Sequence, residues 1–340
     1  MSNPRDEQLD LLIIGAGPAG LSAAGAAARA GLNYLVVEKG LIADTIYRYP
    51  VGRTVFSTPD ELELREDCLR PCRDKPTREE LLSHYVRFAL DERLRINTGE
   101  GADCIERDAE TGAFTVLTTT GGAYRAARLL VVTGAMAYPR RLNVAGEDLP
   151  KVHHRFVEPY PYVRKEVLVV GGGNSAAEAA LFLSEEGAHT TLAIWRADWE
   201  QRDPKMNAIK HWVRDPLERQ LAEGRLRLCF FTDIEEIAAR EVRLRGEDGA
   251  PRTLANDAVF ILIGADADHT LLRRAGVEFV TAGLAEVPVY DPDTHETNVP
   301  GLHVAGHFTH ARHIKQAIAV PRRIVPLIAN SLRARASIGR

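Results

Sequence analysis

Gly15-Ala16-Gly17-Pro18-Ala19-Gly20 and Gly171-Gly172-Gly173-Asn174-Ser175-Ala176 are the two stretches on which the reading of this chain turns. Each follows an apolar run, Leu11-Leu12-Ile13-Ile14 or Val167-Leu168-Val169-Val170, and each opens onto an alanine-rich segment, Leu21 to Ala30 or Ala176 to Glu186. Strand, tight glycine turn and helix, in that order, form the context of a dinucleotide fingerprint. The glycines let the backbone turn and approach a pyrophosphate, and the first amides of the helix hold its charge. Two such loops imply two dinucleotides, and hydride transfer between a flavin and a nicotinamide is the chemistry that brings such a pair together. The expected fold class is therefore α/β, with two Rossmann-like dinucleotide-binding domains of the three-layer ββα type.

Composition agrees with this expectation. The chain has 340 residues, 45% hydrophobic and 26% charged, which is ample for two domains. Its formal net charge of −4 gives no electrostatic case for nucleic acid or an anionic membrane surface. The uncharged stretch from Leu11 to Ala28 is rich in Gly and Ala, contains Pro18 and follows acidic residues, so it does not read as a membrane anchor. Four cysteines, Cys68, Cys72, Cys104 and Cys229, make no disulfide framework and suit a reducing, cytoplasmic setting.

The first half outlines an FAD site. Tyr34-Leu35-Val36-Val37 reads as the second strand, ending at Glu38-Lys39, where the acid suits an adenosine ribose. Tyr49-Pro50-Val51-Gly52-Arg53-Thr54-Val55-Phe56-Ser57-Thr58 mixes aromatic and polar residues as a loop beside a planar ring would, with Tyr49, Phe56 and Ser57 as candidates. Thr77 and Glu80 form a capping box for a helix whose Leu81, Leu82, Tyr85, Val86, Phe88 and Ala89 suit a buried face. Strands follow over Phe114 to Leu117 and Ala123 to Val132, split by Gly121-Gly122, and lead into Thr133-Gly134. A similar unit recurs from Val259 to Ala265 and includes Gly264, so the two halves look like versions of one plan.

The second half bears on the nicotinamide cofactor. By its spacing from the second loop, the position matching Glu38 is Ile194, followed by Trp195 and Arg196. Without a carboxylate there, a 2′-phosphate can sit against the Arg196 guanidinium, which favours NADPH. Arg202 and Lys205 are candidates for a second phosphate contact, against a reading of Arg196 as one more surface cation among Asp198, Glu200 and Asp203. Gly171, Gly173, Asn174, Ser175, Ala176 and Glu178 complete the expected NADPH site.

Taken in order, GAGPAG, Glu38, the Tyr-Pro…Phe-Ser-Thr segment, Thr-Gly, GGGNSAAE and Val304-Ala305-Gly306 resemble the thioredoxin-reductase-like flavoproteins. Phe56 to Glu63, Lys75 to Arg78, Pro139 to Pro150, Ile209 to Pro216 and Glu296 to Leu302 are similar to the bacillithiol-disulfide (bacilliredoxin) reductases. The resemblance implies an FAD domain over 1–145 and 267–340, an NADPH domain over 146–266, a homodimer, and a small-molecule disulfide or a small redox protein as acceptor. It also extends the FAD site to Gly306, His307, Gln316 and Ala317. Two departures matter. No cysteine lies between Gly134 and Gly171, where thioredoxin reductases carry Cys-x-x-Cys, and Ala19 stands where bacilliredoxin reductases place a cysteine. Two rival functions stay open, a ferredoxin- or flavodoxin-type NADP reductase and a non-catalytic flavin-based redox sensor.

Remaining thiol chemistry would rest on Cys68-Leu69-Arg70-Pro71-Cys72, a pair on one face if helical, with Arg70 and Arg73 near enough to favour a thiolate, although Pro71 argues for a loop. Cys104 and Cys229 read as buried core. His303, His307, His310 and His313 lack the carboxylate or thiolate companions of a metal site, so no metal is expected. Instead His307, and a helix start near Thr309 to Arg312, are expected to face the flavin. Arg322, Arg323, Arg333 and Arg335 read as solvated, and Pro321 and Pro326 as kinks or breaks in the closing helix.

Overall fold

The computed structural model describes residues 8–203, 208–283, 285–311 and 313–338. The chain divides into two compact units, one of 1–137 with 267–340 and one of 138–266. The first boundary falls before Tyr138 instead of before Gly146, because Tyr138–Pro139 pairs antiparallel with Ala265–Asp266.

In the discontinuous unit, Leu9–Ile14 is the centre of a sheet, parallel to Tyr34–Glu38 on one side and to Ala123–Val131 on the other. Leu302–Val304 adds a further parallel strand beside Ala123–Val131. Phe114–Thr118 and Ala102–Arg107 extend the sheet antiparallel. Side chains alternate across a strand, and the apolar run divides accordingly. Leu11 and Ile13 meet Ala23, Ala24 and Ala27 of the helix Pro18–Arg29 and Ile324, Val325 and Ile328 of the helix Ile314–Ile338. Leu12 and Ile14 meet Phe114, Val116, Leu302 and Val304, with Leu272 and Phe308 over them.

Helix Ile314–Ile338 starts later than the expected Thr309 to Arg312 and runs continuously through Pro321 and Pro326. Its apolar face supplies the reason. Burying Ile324, Val325 and Ile328 contributes roughly 1.5–3 kcal/mol each, enough to offset about 3 kcal/mol per internal proline. The arginines of this helix are exposed but bonded: Arg322 donates to Glu63 O, Arg323 to Asp293 O and Pro292 O, and Arg333 to Ala30 O. The Arg335 side chain lies outside the described residues.

Helix Arg78–Asp91 carries the expected capping box, with Thr77 accepting from the Glu80 amide. Its buried face is Leu81, His84, Tyr85, Phe88 and Ala89, whereas Val86 is exposed. His84 lies inside because its Nε2 accepts from the Leu64 amide at 3.1 Å, giving a polar ring a partner there.

The second unit repeats the plan. Glu166–Val170 lies parallel to His189–Ile194 and Ala258–Ile261, and Leu226–Ile237 continues parallel beyond His189–Ile194. Leu226–Ile237 then turns into the antiparallel strands Glu241–Gly246 and Pro251–Ala255. Leu168, Val170, Ala193, Phe231, Val259 and Ile261 form its core. The correspondence reaches single hydrogen bonds. The Gly15 amide donates to Val37 O at 2.8 Å and the Gly171 amide to Ala193 O at 3.0 Å; Val132 donates to Ile14 O as Leu262 does to Val170 O.

Candidate cofactor sites

The first glycine loop is shaped by two close approaches. Gly15 has φ +113°, and a Cβ there would stand 2.8 Å from Val132 O. A Cβ on Gly20 would lie 1.9 Å from Gly15 O, so only glycine lets the helix Pro18–Arg29 dock on its own turn. Gly17 differs, because no heavy atom lies within 4 Å of the position its Cβ would take, and it is the helix N-cap with no side chain bonded to the first amides. Open space in front of uncapped amides is what a phosphate needs. Glu38, at the tip of the next strand, accepts from the Ala16 and Gly40 amides at 2.7 Å each. Its carboxylate is thus oriented beside the loop with lone pairs left for ribose hydroxyls. Lys39 is exposed next to it.

Gly306 joins this group from the far end of the sequence, because Leu302–Val304 pairs with Leu129 to Val131 and the Ala305 amide donates to Val131 O. A Cβ on Gly306 would contact Ala19 Cβ at 3.5 Å. Thr133 and Gly134 follow Val132 at the rim, with Thr133 exposed. His307 and Gln316 are exposed and Ala317 is buried. Tyr49 and Phe56 are half-buried on either side of Arg53, whose guanidinium carbon lies 4.8 Å from one ring centroid and 4.9 Å from the other. That cation, which organises both rings, was not among the residues expected from sequence. Ser57 is half-buried beside Phe56. These features fit FAD.

The second loop has the same construction. Gly171 has φ +147°, and a Cβ there would stand 2.4 Å from Leu262 O; Gly173 is the N-cap of Asn174–Glu185, with open space around it and no side-chain cap. Asn174 Oδ1 accepts from the Lys210 amide at 2.8 Å, Ser175 is exposed, and Ala176 and Glu178 are buried. Gly264, at φ +100°, sits at the end of Ala258–Ile261 as Gly134 follows Ala123–Val131. Trp195 packs its ring 4.7 Å from Phe231.

Arg196 lies with its guanidinium carbon 4.0 Å above the Phe230 ring. Glu247 takes its Nε at 2.8–3.0 Å and its Nη2 at 2.6 Å, while Glu200 stands 3.5 Å from Nη1. The bidentate partner is thus Glu247, on the turn between Glu241–Gly246 and Pro251–Ala255, while Glu200, one of the acids adjacent in sequence, pairs at the longer distance. Arg202 donates to Trp199 O at 2.7 Å within its own loop. Buried Arg214, stacked 4.4 Å from the Trp199 ring, donates to Trp199 O and Gln201 O and holds that loop. Lys205 and Arg312 lie outside the described residues. Phosphate donors, open amides and a planar cation together fit a dinucleotide with a 2′-phosphate.

The model of the pyridine nucleotide-disulphide oxidoreductases matches residues 12–306. The chain belongs to that family. Among its members, the bacilliredoxin reductase Bdr of Bacillus subtilis is 35% identical over 295 residues, covering 87% of this chain and 88% of that one. The solved bacillithiol disulfide reductase Bdr (YpdA) of Staphylococcus aureus superposes with a TM-score of 0.87 at 30% identity, covering 97% of this chain and 99% of that one. A ferredoxin–NADP reductase of Ignicoccus hospitalis is 26% identical over 314 residues, 89% of this chain and 90% of its own length. As a member of this family the protein is an oxidoreductase that uses FAD and NADPH. Among the described residues, no helix is long and apolar enough to cross a membrane.

The cysteines are placed differently from two expectations. Cys104 is half-buried, not core, while Cys229 is buried, and burial raises its thiol pKa. Cys68 and Cys72 are exposed in a loop. The cation at Cys68 is Arg65, with Nε 3.0 Å from Sγ, whereas Arg70 turns to Asp67 O. The Cys72 amide donates to Glu80. His303 and His295 hold backbone carbonyls, Thr294 O and Val304 O, at 3.1 and 3.0 Å.

Proposed function

We propose that this protein passes reducing equivalents from NADPH through FAD to a low-molecular-weight disulfide or a small redox protein, and does so without a thiol of its own beside the first glycine loop. We place the NADPH site on the 138–266 unit and the FAD site on the discontinuous one, in a cytoplasmic homodimer. With both cofactors bound, the chemistry supplied is hydride transfer from nicotinamide to flavin. The chain's part is to hold phosphates on two uncapped helix starts, orient ribose through Glu38 and 2′-phosphate through Arg196, and leave the acceptor to meet the flavin directly.

One observation carries the second half of this reading. Position 19, beside the first glycine loop, is alanine, 5% exposed and 3.5 Å from where a Cβ on Gly306 would stand, so it supplies no thiol there. Thiol–disulfide exchange requires an attacking thiolate. The bonded side chains at Cys68 and Cys72 are Arg65, Glu63 and Glu80, none of them part of the glycine loop. The relatives' names cover both acceptor classes, disulfide reductase and ferredoxin–NADP reductase.

The test is steady-state NADPH oxidation by purified flavoprotein with quinone, ferricyanide, an iron–sulfur carrier and bacillithiol disulfide, on wild type and on Cys68→Ser/Cys72→Ser. Faster turnover with the electron carriers, unchanged in the variant, is the expected result. Fast reduction of bacillithiol disulfide that disappears in the variant would refute it. That outcome would favour a second reading, a thiol relay at Cys68, for which the 3.0 Å contact with Arg65 is the supporting observation.

A further inference from the structure

Two carboxylates sit against the parts of the second site that are expected to meet phosphates. The first is Glu247, which occupies the Nε–Nη2 edge of Arg196 with bonds of 2.6–3.0 Å. A carboxylate and a phosphate use the same planar fork, so the edge that Glu247 holds is unavailable to a 2′-phosphate until it is released. The second is Asp198, two residues along the same short helix, Arg196–Glu200. A Cβ on Gly172 would lie 2.1 Å from Asp198 Oδ2 and 2.6 Å from its Cγ. The acid therefore rests on Gly172, the residue between the crowded Gly171 and the open N-cap Gly173, so its charge lies beside the amides expected to hold a pyrophosphate. Gly171 is crowded by the fixed backbone of Leu262; at Gly172 the Asp198 carboxylate can rotate away, while the Asp198 Cβ, 2.5 Å from the position a Gly172 Cβ would take, is held by the helix.

We propose that Glu247 and Asp198 are affinity- and specificity-determining residues that act as built-in competitors, Glu247 for the 2′-phosphate alone and Asp198 for the pyrophosphate of any dinucleotide. The two are separable because they act on different parts of the ligand. Removing Glu247's charge frees the guanidinium fork, while Phe230 still supports Arg196 from below. Glu200, at 3.5 Å and 61% exposed, is too distant and too well solvated to replace it. Replacing Asp198 with alanine keeps its Cβ but takes the carboxylate and its charge from the loop without touching the fork. This inference rests on the reading of Arg196 as the 2′-phosphate ligand.

The experiment is calorimetric titration of the oxidised, FAD-loaded protein with 2′,5′-ADP, 5′-AMP and ADP-ribose, with no turnover involved. Wild type, Glu247→Gln, Asp198→Ala and Arg196→Ala are compared, each checked for an unchanged melting curve. Glu247→Gln is expected to bind 2′,5′-ADP roughly three- to tenfold more tightly, the order of one released surface ion pair, with ADP-ribose unchanged. Asp198→Ala is expected to tighten 2′,5′-ADP and ADP-ribose by a similar factor. Arg196→Ala is the control on the underlying reading, and should erase the preference for 2′,5′-ADP over 5′-AMP. If that preference survives in Arg196→Ala, the reading of Arg196 fails. If it is erased while Glu247→Gln binds 2′,5′-ADP no better than wild type, the reading stands and Glu247 is not a competitor. Unchanged ADP-ribose binding in Asp198→Ala overturns the pyrophosphate half.

Discussion

Replacing Gly20 with Ala tests how the first loop is built. The new Cβ would lie 1.9 Å from Gly15 O and 2.9 Å from Gly15 C, both backbone atoms. Ordinary contact needs about 3.5 Å, so the helix Pro18–Arg29 must withdraw by roughly 1.5 Å. The turn cannot yield in its place, since Gly15 is tied to Val37 O at 2.8 Å and Val132 to Ile14 O at 2.9 Å. A withdrawal of that size opens gaps between Ala23, Ala24 and Ala27, all fully buried, and Leu11 and Ile13 beneath them. Gaps of 0.5–1 Å already forfeit roughly a quarter to a half of each contact, and overpacking typically costs about 1–3 kcal/mol. With a backbone clash that no rotamer relieves, we expect about 3–5 kcal/mol, a fall in Tm of roughly 6–20 °C and loss of most bound flavin. Gly17→Ala is the counterpart. Its φ of −72° suits alanine and no atom crowds the site, so flavin-stripped protein should melt near wild type while flavin content falls, because the methyl enters the phosphate's space. Both quantities are read from thermal unfolding and the flavin-to-protein absorbance ratio. Wild-type stability and full flavin in Gly20→Ala would show that the close approach does not exist.

Arg196→Ala should lower kcat/KM for NADPH by roughly tenfold or more and leave NADH almost unchanged, which parallel stopped-flow flavin bleaching would reveal; equal losses would make the arginine structural. Cys68→Ser/Cys72→Ser should keep the wild-type rate of flavin bleaching by NADPH, since neither thiol bonds to the glycine loop. Stability should fall on acidification through about pH 6.5. Burial lowers the pKa of His84, His295 and His303, so the unfolded chain takes up protons first and gains on the fold as pH drops, visible as a falling Tm between pH 7 and 5. A further loss is expected between pH 4.5 and about 2, as Glu80 protonates; the Thr77 and Cys72 amides hold its carboxyl down at about 2, and its contribution is present only above that range. A flat Tm across the histidine range would contradict the neutral, carbonyl-bonded rings.

The two nucleotide folds were legible from sequence because their signals are local. An apolar run, glycines at fixed offsets and an alanine-rich helix lie within about twenty residues of one another, and the backbone geometry they demand leaves few alternatives. The same holds for the Thr77–Glu80 capping box and for Glu38, whose place beside the loop follows from its distance along the chain. What the sequence could not supply were pairings made by the sheet. Glu247 reaches Arg196 across 51 positions because Leu226–Ile237 runs beside His189–Ile194 and its hairpin returns there, a consequence of register that no local window contains. Arg53 between Tyr49 and Phe56, Asp198 over Gly172 and Arg65 at Cys68 are short in sequence separation or in space, yet depend on which way a loop folds back. Pro321 and Pro326 show the opposite failure. Local propensity argued for a break, but burial of Ile324, Val325 and Ile328 against the first helix is a tertiary term of equal size, and it kept the helix whole.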